Sequence, residues 1–152
     1  MQNLIGEYAH KMDAKGRVAF PANFRKTISE GANLVIAPSP SSNCLYVYLK
    51  DDYIACVDEM FEGIGGYDVN NEDHVEMKSF LMGAARDAEL DGAGRIAVTP
   101  RYREEFGLSS EVILVGNGNR VEIWDPQRRA EQNERARALR AKLLFRSPST
   151  KE

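Results

Sequence analysis

The sequence predicts an α+β protein in which two tandem β-rich units intertwine as one pseudo-dimeric barrel, with helices between the units and after the second. Three observations carry that expectation. The segment Asp13-Ala14-Lys15-Gly16-Arg17-Val18-Ala19-Phe20-Pro21 returns as Asp91-Gly92-Ala93-Gly94-Arg95-Ile96-Ala97-Val98-Thr99-Pro100, 78 residues later, with one residue inserted before the proline. Leu34–Ala37 and Val112–Val115 each begin 21 residues after their aspartate, and Leu45–Tyr48 corresponds to Val121–Trp124. A self-similar stretch of roughly 45 residues used twice indicates one supersecondary unit in two copies. A unit that small cannot bury both faces of its strands, so the two copies are expected to share a core.

Within each copy the pattern reads strand, turn, strand, short helix, strand, turn, strand. The Asp-x-x-Gly-Arg segment is a turn because the aspartate bonds the backbone two residues on and the glycine supplies a positive φ. In the first copy Pro21 opens a helix that Gly31 closes, with Phe24 and Ile28 four apart on one face. In the second, Thr99 is an N-cap, Pro100 the first helical residue and Gly107 the residue past the C-terminus. Gly116-Asn117-Gly118-Asn119 has the composition of a hairpin connection between Val112–Val115 and Arg120–Trp124.

Between the copies, Asp51–Ile64 spaces Ile54, Val57, Phe61 and Ile64 at helical intervals after an acidic start. Gly63–Gly66 breaks that helix, and after a polar stretch a second helical segment spans Glu72–Met82. Asp125-Pro126 begins a last helix, to about Phe145, striped by Ala136, Leu139, Leu143 and Leu144. The tail Ser147–Glu152 is expected to fray. These readings divide the chain into a first unit at 5–52, connecting helices at 53–80, a second unit at 81–124, and the C-terminal helix with its tail at 125–152.

Composition narrows the function. A chain of 152 residues, 43% hydrophobic and 28% charged, can bury a core without disulfide or metal staples. Cys44 and Cys56 then read as buried free thiols. The N-terminus has no secretory leader pattern, and no apolar run approaches the ~18 residues of a membrane span, which places the protein in a reduced cytoplasm. A net charge of −3 excludes a polycation that coats nucleic acid. Its distribution is uneven, however. Residues 10–26 carry Lys11, Lys15, Arg17, Arg25 and Lys26 against Asp13 alone, and residues 51–73 carry eight acidic residues with no lysine or arginine.

Catalytic patterns are absent. His10 and His74 have no Ser, Cys or carboxylate at triad or metal spacing, and the glycine pairs at 92–94 and 116–118 lack the rest of a dinucleotide or P-loop fingerprint. Asp13 and Asp91 are more simply turn formers than paired acid-base carboxylates. The expectation is no enzyme, no catalytic residue, no metal, no cofactor and no small-molecule substrate. Two readings of the repeated arginine stay open. An Arg beside a Gly on a lifted turn can approach a partner closely, and its fork matches phosphate oxygens or the guanine O6/N7 edge. Alternatively, Arg17 and Arg95 pair with the turn aspartates and staple the fold.

The duplicated motif resembles the SpoVT/AbrB swapped-hairpin module. Two copies in about 150 residues, Asp-x-Lys-Gly-Arg first and Asp-Gly-x-Gly-Arg second, with Glu89-Leu90-Asp91-Gly92-Ala93-Gly94-Arg95, Glu111–Asn117 and Val121–Trp124, resemble the MraZ family over roughly residues 1–145. The resemblance implies a bacterial, nucleoid-associated transcriptional regulator of the division and cell-wall gene cluster. Such a protein would bind double-stranded promoter DNA before its own operon as a ring-shaped homo-oligomer. It places DNA contact on Lys15, Arg17 and Arg95. Ala93 stands where the first motif has Lys15, so the halves should contribute unequally. Lys11 and Arg25 are weaker candidates, for phosphate, whereas Arg101 and Arg103, beside Glu104 and Glu105, read as a solvated helix face. Neighbouring subunits presenting identical arginine turns would favour G-containing direct repeats about 10 bp apart. The alternative function is an AbrB-type antitoxin or protein-interaction module.

Overall fold

The computed structural model describes residues 1–41 and 43–145; the tail expected to fray lies outside them. The chain runs β1 (Glu7–Lys11), β2 (Arg17–Ala19), α1 (Ala22–Arg25), β3 (Leu34–Pro38), β4 (Leu45–Leu49), α2 (Lys50–Glu62), α3 (Glu72–Ala84), β5 (Arg86–Ala88), β6 (Arg95–Ala97), α4 (Pro100–Glu105), β7 (Glu111–Asn117), β8 (Arg120–Trp124) and α5 (Pro126–Leu144). Six strands form one antiparallel sheet in the order β1-β7-β8-β4-β3-β5, and β2 pairs with β6 in a separate two-stranded ribbon.

That order is the intertwining the duplication implies. The first strand of each copy pairs with the third strand of the other, β1 with β7 and β5 with β3. The fourth strands meet at the centre, where Leu45 faces Ile123 and Val47 faces Val121. Alone, each copy would leave long unpaired edges; exchanging strands satisfies their N–H and C=O groups.

One sheet face and the ribbon enclose the main core. Leu34, Ile36, Leu45, Val47, Val112, Leu114, Val121 and Ile123 alternate inward along their strands, as period-two patterning requires. Val18 and Ile96 of the ribbon close over them with Phe20, Phe24, Val98 and Phe106. The opposite sheet face is covered in two places. Tyr53, Val57 and Phe61 of α2 pack on Val35, Ala37 and Tyr48. The start of α5 lies beside Trp124, where Glu122, a buried carboxylate, accepts hydrogen bonds from Asn117 Nδ2 and Trp124 Nε1, both at 2.9 Å.

Helix starts follow the local chemistry. Asn71, Thr99 and Asp125 cap α3, α4 and α5 through side-chain acceptors. The helix expected from Pro21 to Gly31 is shorter, a single turn ending at Arg25. Thr27 Oγ1 donates to the Phe24 carbonyl at 2.8 Å, competing with helix continuation, and non-helical turns carry the chain to Gly31.

Candidate nucleic-acid interface

Both Asp-x-x-Gly-Arg turns have the same construction. Asp13 Oδ1 accepts from the backbone N–H groups of Lys15 and Arg17, each at 2.9 Å, and its Oδ2 accepts from Arg17 Nε at 2.7 Å. Asp91 does the same for Ala93 N, Arg95 N and Arg95 Nε, all at 2.9 Å. Gly16 and Gly94 take φ of +81° and +74°, which let their N–H groups fold back onto the aspartate carbonyls. The Arg17 and Arg95 N–H bonds are the leading cause holding the Asp13 and Asp91 carboxyls below the usual aspartate range, so both are ionised at neutral pH.

The ribbon then sets where the arginines point. Its register places Arg17 opposite Ala97, Val18 opposite Ile96 and Ala19 opposite Arg95. Since cross-strand partners share a face, Val18 and Ile96 enter the core while Arg17 and Arg95 stand diagonally on the outer face, each across from an alanine too short to cover it. Both arginine side chains are 35% exposed. Within its turn each is engaged through Nε. The terminal nitrogens of Arg17 make no hydrogen bond among the described residues, and Arg95 Nη1 lies 4.0 Å from Asp13 Oδ2. Pairing with aspartate and outward presentation thus coexist: the carboxylate holds one edge of the guanidinium, leaving the other for a ligand. A two-stranded ribbon of this kind fits the roughly 12 Å major groove of B-DNA, where an Arg fork matches guanine.

The copies also reach across the ribbon. Arg103 of α4 lies over Gly16 with Nη1 3.4 Å from the Ala14 carbonyl, and Arg25 of α1 lies over Gly94 with Nη1 3.5 Å from the Ala93 carbonyl. Phe20 N donates to Gly94 O at 3.0 Å, and Val98 N donates to Gly16 O at 2.8 Å. Each arginine therefore covers the turn of the opposite copy. This corrects the reading of Arg103 as a solvated helix residue: it is half-buried, and its Nε is the one buried side-chain polar atom without a hydrogen-bond partner among the described residues. The 78-residue echo held the signal, because it maps Arg25 onto Arg103.

The other sequence candidates lie around this face. Lys15 is exposed at the tip of the first turn. Lys11 ends edge strand β1 with its ammonium 3.9 Å from Glu111, which offsets its charge. Arg101 is exposed. Cys44 is buried, whereas Cys56, expected to be buried, is only half-buried, with Sγ 3.7 Å from the Tyr48 hydroxyl. No group of three or more His, Cys, Asp or Glu side chains among the described residues could hold a metal ion. No helix among them is long and apolar enough to cross a membrane.

A family model described as "MraZ protein, putative antitoxin-like" matches residues 4–62 and 80–143. The chain is also 33% identical over 132 residues to a protein of Heliobacterium modesticaldum, covering 87% of each chain. It is 36% identical over 120 residues to one of Alkaliphilus oremlandii, covering 79% of each, and 36% identical over 130 residues to one of Nitrosospira multiformis, covering 85% and 86%. All three relatives bear the name transcriptional regulator MraZ. The family model spans both copies of the Asp-x-x-Gly-Arg unit, and relatives at this identity cover most of the chain, so this protein belongs to the MraZ family.

Proposed function

We propose that this protein is a sequence-specific DNA-binding transcriptional regulator that reads duplex DNA with the outer face of the β2–β6 ribbon. The observation that carries this reading is the pair of aspartate-held arginines, Arg17 and Arg95, standing on one exposed face of a ribbon narrow enough for the major groove. The name borne by the relatives supports it. In this reading Arg17 and Arg95 contact guanine, while Lys15, and less strongly Arg25, contact phosphate. Lys11 contributes least because Glu111 stands beside it. Arg103, the counterpart of Arg25, joins the same face. The protein acts in the cytoplasm on the nucleoid, on DNA preceding its own operon in the division and cell-wall gene cluster. It assembles as a ring-shaped homo-oligomer whose neighbouring ribbons engage G-containing direct repeats about one helical turn apart.

Electrophoretic shift with the DNA upstream of its own gene tests this. Arg17→Ala should leave folding intact and lose about 1–3 kcal/mol of discrimination at each contacted site. Inserting about 5 bp between repeats should turn one half-site to the far face of the duplex and weaken binding sharply. Equal binding of the variant and the wild type would refute the ribbon as the reading surface. The antitoxin-like wording of the family description and the acidic stretch 51–73 favour a second reading, a module that neutralises a partner protein. Co-purification of a small basic protein that displaces DNA would support it.

A further inference from the structure

The two turns of the ribbon are built alike but supported differently. Arg25 and Arg103 hold equivalent places in the two copies, 78 residues apart, and each covers the turn of the other copy. Arg25 belongs to α1, a single helical turn with no side-chain cap, and is exposed. Arg103 belongs to α4, whose start is capped by Thr99 and which is anchored by buried Tyr102, with the Tyr102 hydroxyl donating to the Ala84 carbonyl. Arg103 is half-buried, and its backbone is fixed on both sides. Its N–H donates to the Thr99 carbonyl at 3.0 Å, and its carbonyl accepts from Leu108 N at 2.8 Å.

From that footing the Arg103 side chain reaches the backbone between Asp13 and Arg17. Nη1 lies 3.4 Å from the Ala14 carbonyl, and Nε and Cδ lie over Gly16. The buried Nε has no acceptor among the described residues. A donor buried without an acceptor disfavours the folded state, so its retention calls for a role other than stability.

The role follows from what the Asp13 clamp leaves undone. Asp13 fixes the Arg17 guanidinium relative to the turn, through the 2.7 Å bond to Nε, but it does not fix the turn relative to the rest of the ribbon. A bidentate contact with a base edge needs both donors at about 2.7–3.2 Å and well aligned, so a turn that drifts loses it. We infer that Arg103 is a positioning residue for sequence reading: without touching DNA, it ties the first turn to α4 and so holds Arg17 in register with a base edge. The second turn, under the exposed Arg25, adjusts to the duplex instead. Lys15 stands on the first turn and Ala93 on the second, so stiffness and charge coincide at one end of the ribbon. The inference rests on the ribbon as the DNA-reading surface and assigns sequence discrimination chiefly to its Arg17 end.

The test is fluorescence anisotropy at several salt concentrations with the duplex that precedes its own gene, and with duplexes in which each G·C pair is replaced in turn by A·T. Arg103→Ala, Arg103→Lys and Arg25→Ala are compared with wild type and with Arg17→Ala, at a temperature where circular dichroism shows each to be folded. Arg103→Ala should discriminate about tenfold less at those pairs where Arg17→Ala loses its preference, with an unchanged salt slope. Arg103→Lys keeps the charge but not the flat guanidinium that spans Gly16 and Ala14, so it should not restore discrimination; it also carries the comparison alone if Arg103→Ala does not fold. Arg25→Ala should weaken binding to all duplexes alike and lower the salt slope by about one. If Arg103→Ala lowers the slope in the same way and Arg103→Lys restores it, Arg103 is a phosphate contact and the inference is overturned. If both Arg103 variants discriminate as sharply as wild type, the positioning role falls while the ribbon stands. If wild type itself shows no preference among the duplexes, the DNA-reading function falls and the positioning role with it.

Discussion

Adding one methyl group to either turn glycine separates the two pseudo-equivalent halves of the ribbon. Gly16 and Gly94 both sit at positive φ, so an alanine at either position carries a backbone penalty of about 1–2 kcal/mol. What the new Cβ meets differs. At Gly16 it would lie 2.5 Å from the Val98 carbonyl oxygen and 2.8 Å from the buried Nε of Arg103. The Val98 carbonyl is backbone and can move only if the strand end moves with it, which breaks the 2.8 Å bond from Val98 N to Gly16 O. At Gly94 the three nearest atoms to the Cβ all belong to Arg25, whose exposed side chain can swing away. Gly94→Ala should therefore lose about 1.5 kcal/mol, the φ penalty alone. Gly16→Ala adds the lost hydrogen bond and the displaced strand, for about 3–4 kcal/mol. At about 2–4 °C per kcal/mol for a chain of this size, the melting temperatures should fall by about 3–6 °C and about 6–16 °C respectively. Scanning calorimetry on both variants decides it. A Gly94→Ala variant as unstable as Gly16→Ala would refute the close backbone approach at the first turn.

Three further outcomes are expected. Asp13→Asn keeps an oxygen for the Lys15 and Arg17 N–H groups but sets an amide against Arg17 Nε, so the fold should persist while specific DNA affinity, read by gel shift, falls by about tenfold, roughly 1.4 kcal/mol. The Asp13 and Asp91 carboxyls are held below their usual value of 3.8, so their contribution to the turns is fully present above that value and is lost only as pH falls below it. The Arg17 and Arg95 amide signals should stay constant from pH 5 to 8 and shift together only under stronger acid. Burial, aided by the nearby Glu122 carboxylate, pushes the Cys44 thiol up to about 12, so a thiol reagent at pH 8 should label Cys56 first and reach Cys44 only on unfolding.

The sequence by itself determined whatever depends on short-range chemistry. The Asp-x-x-Gly-Arg turns form because their bonds close within five residues, and the starts at Thr99 and Asp125 follow from capping groups adjacent to their helices. The repeat itself implied two interlocked copies and drew attention to Arg17 and Arg95, whereas Lys15, which the second copy replaces with Ala93, came from the family resemblance. Tertiary structure decided everything that joins distant segments. Only the pairing of β2 with β6 sets Arg17 and Arg95 diagonally on one face, and only the approach of α4 to the first turn brings Arg103 over Gly16, 87 positions away in the chain. The charged neighbours Glu104 and Glu105 made Arg103 look like a solvated residue because composition records charge and not which backbone a side chain covers. The same holds for Glu122: its bonds to Asn117 and Trp124 are local, but its place opposite Tyr46 of β4 and the approach of Arg129 from α5 exist only in the assembled sheet. Hydrogen bonds between neighbours in sequence can be read from residue order, whereas those between strands and helices exist only once the core has brought their elements together.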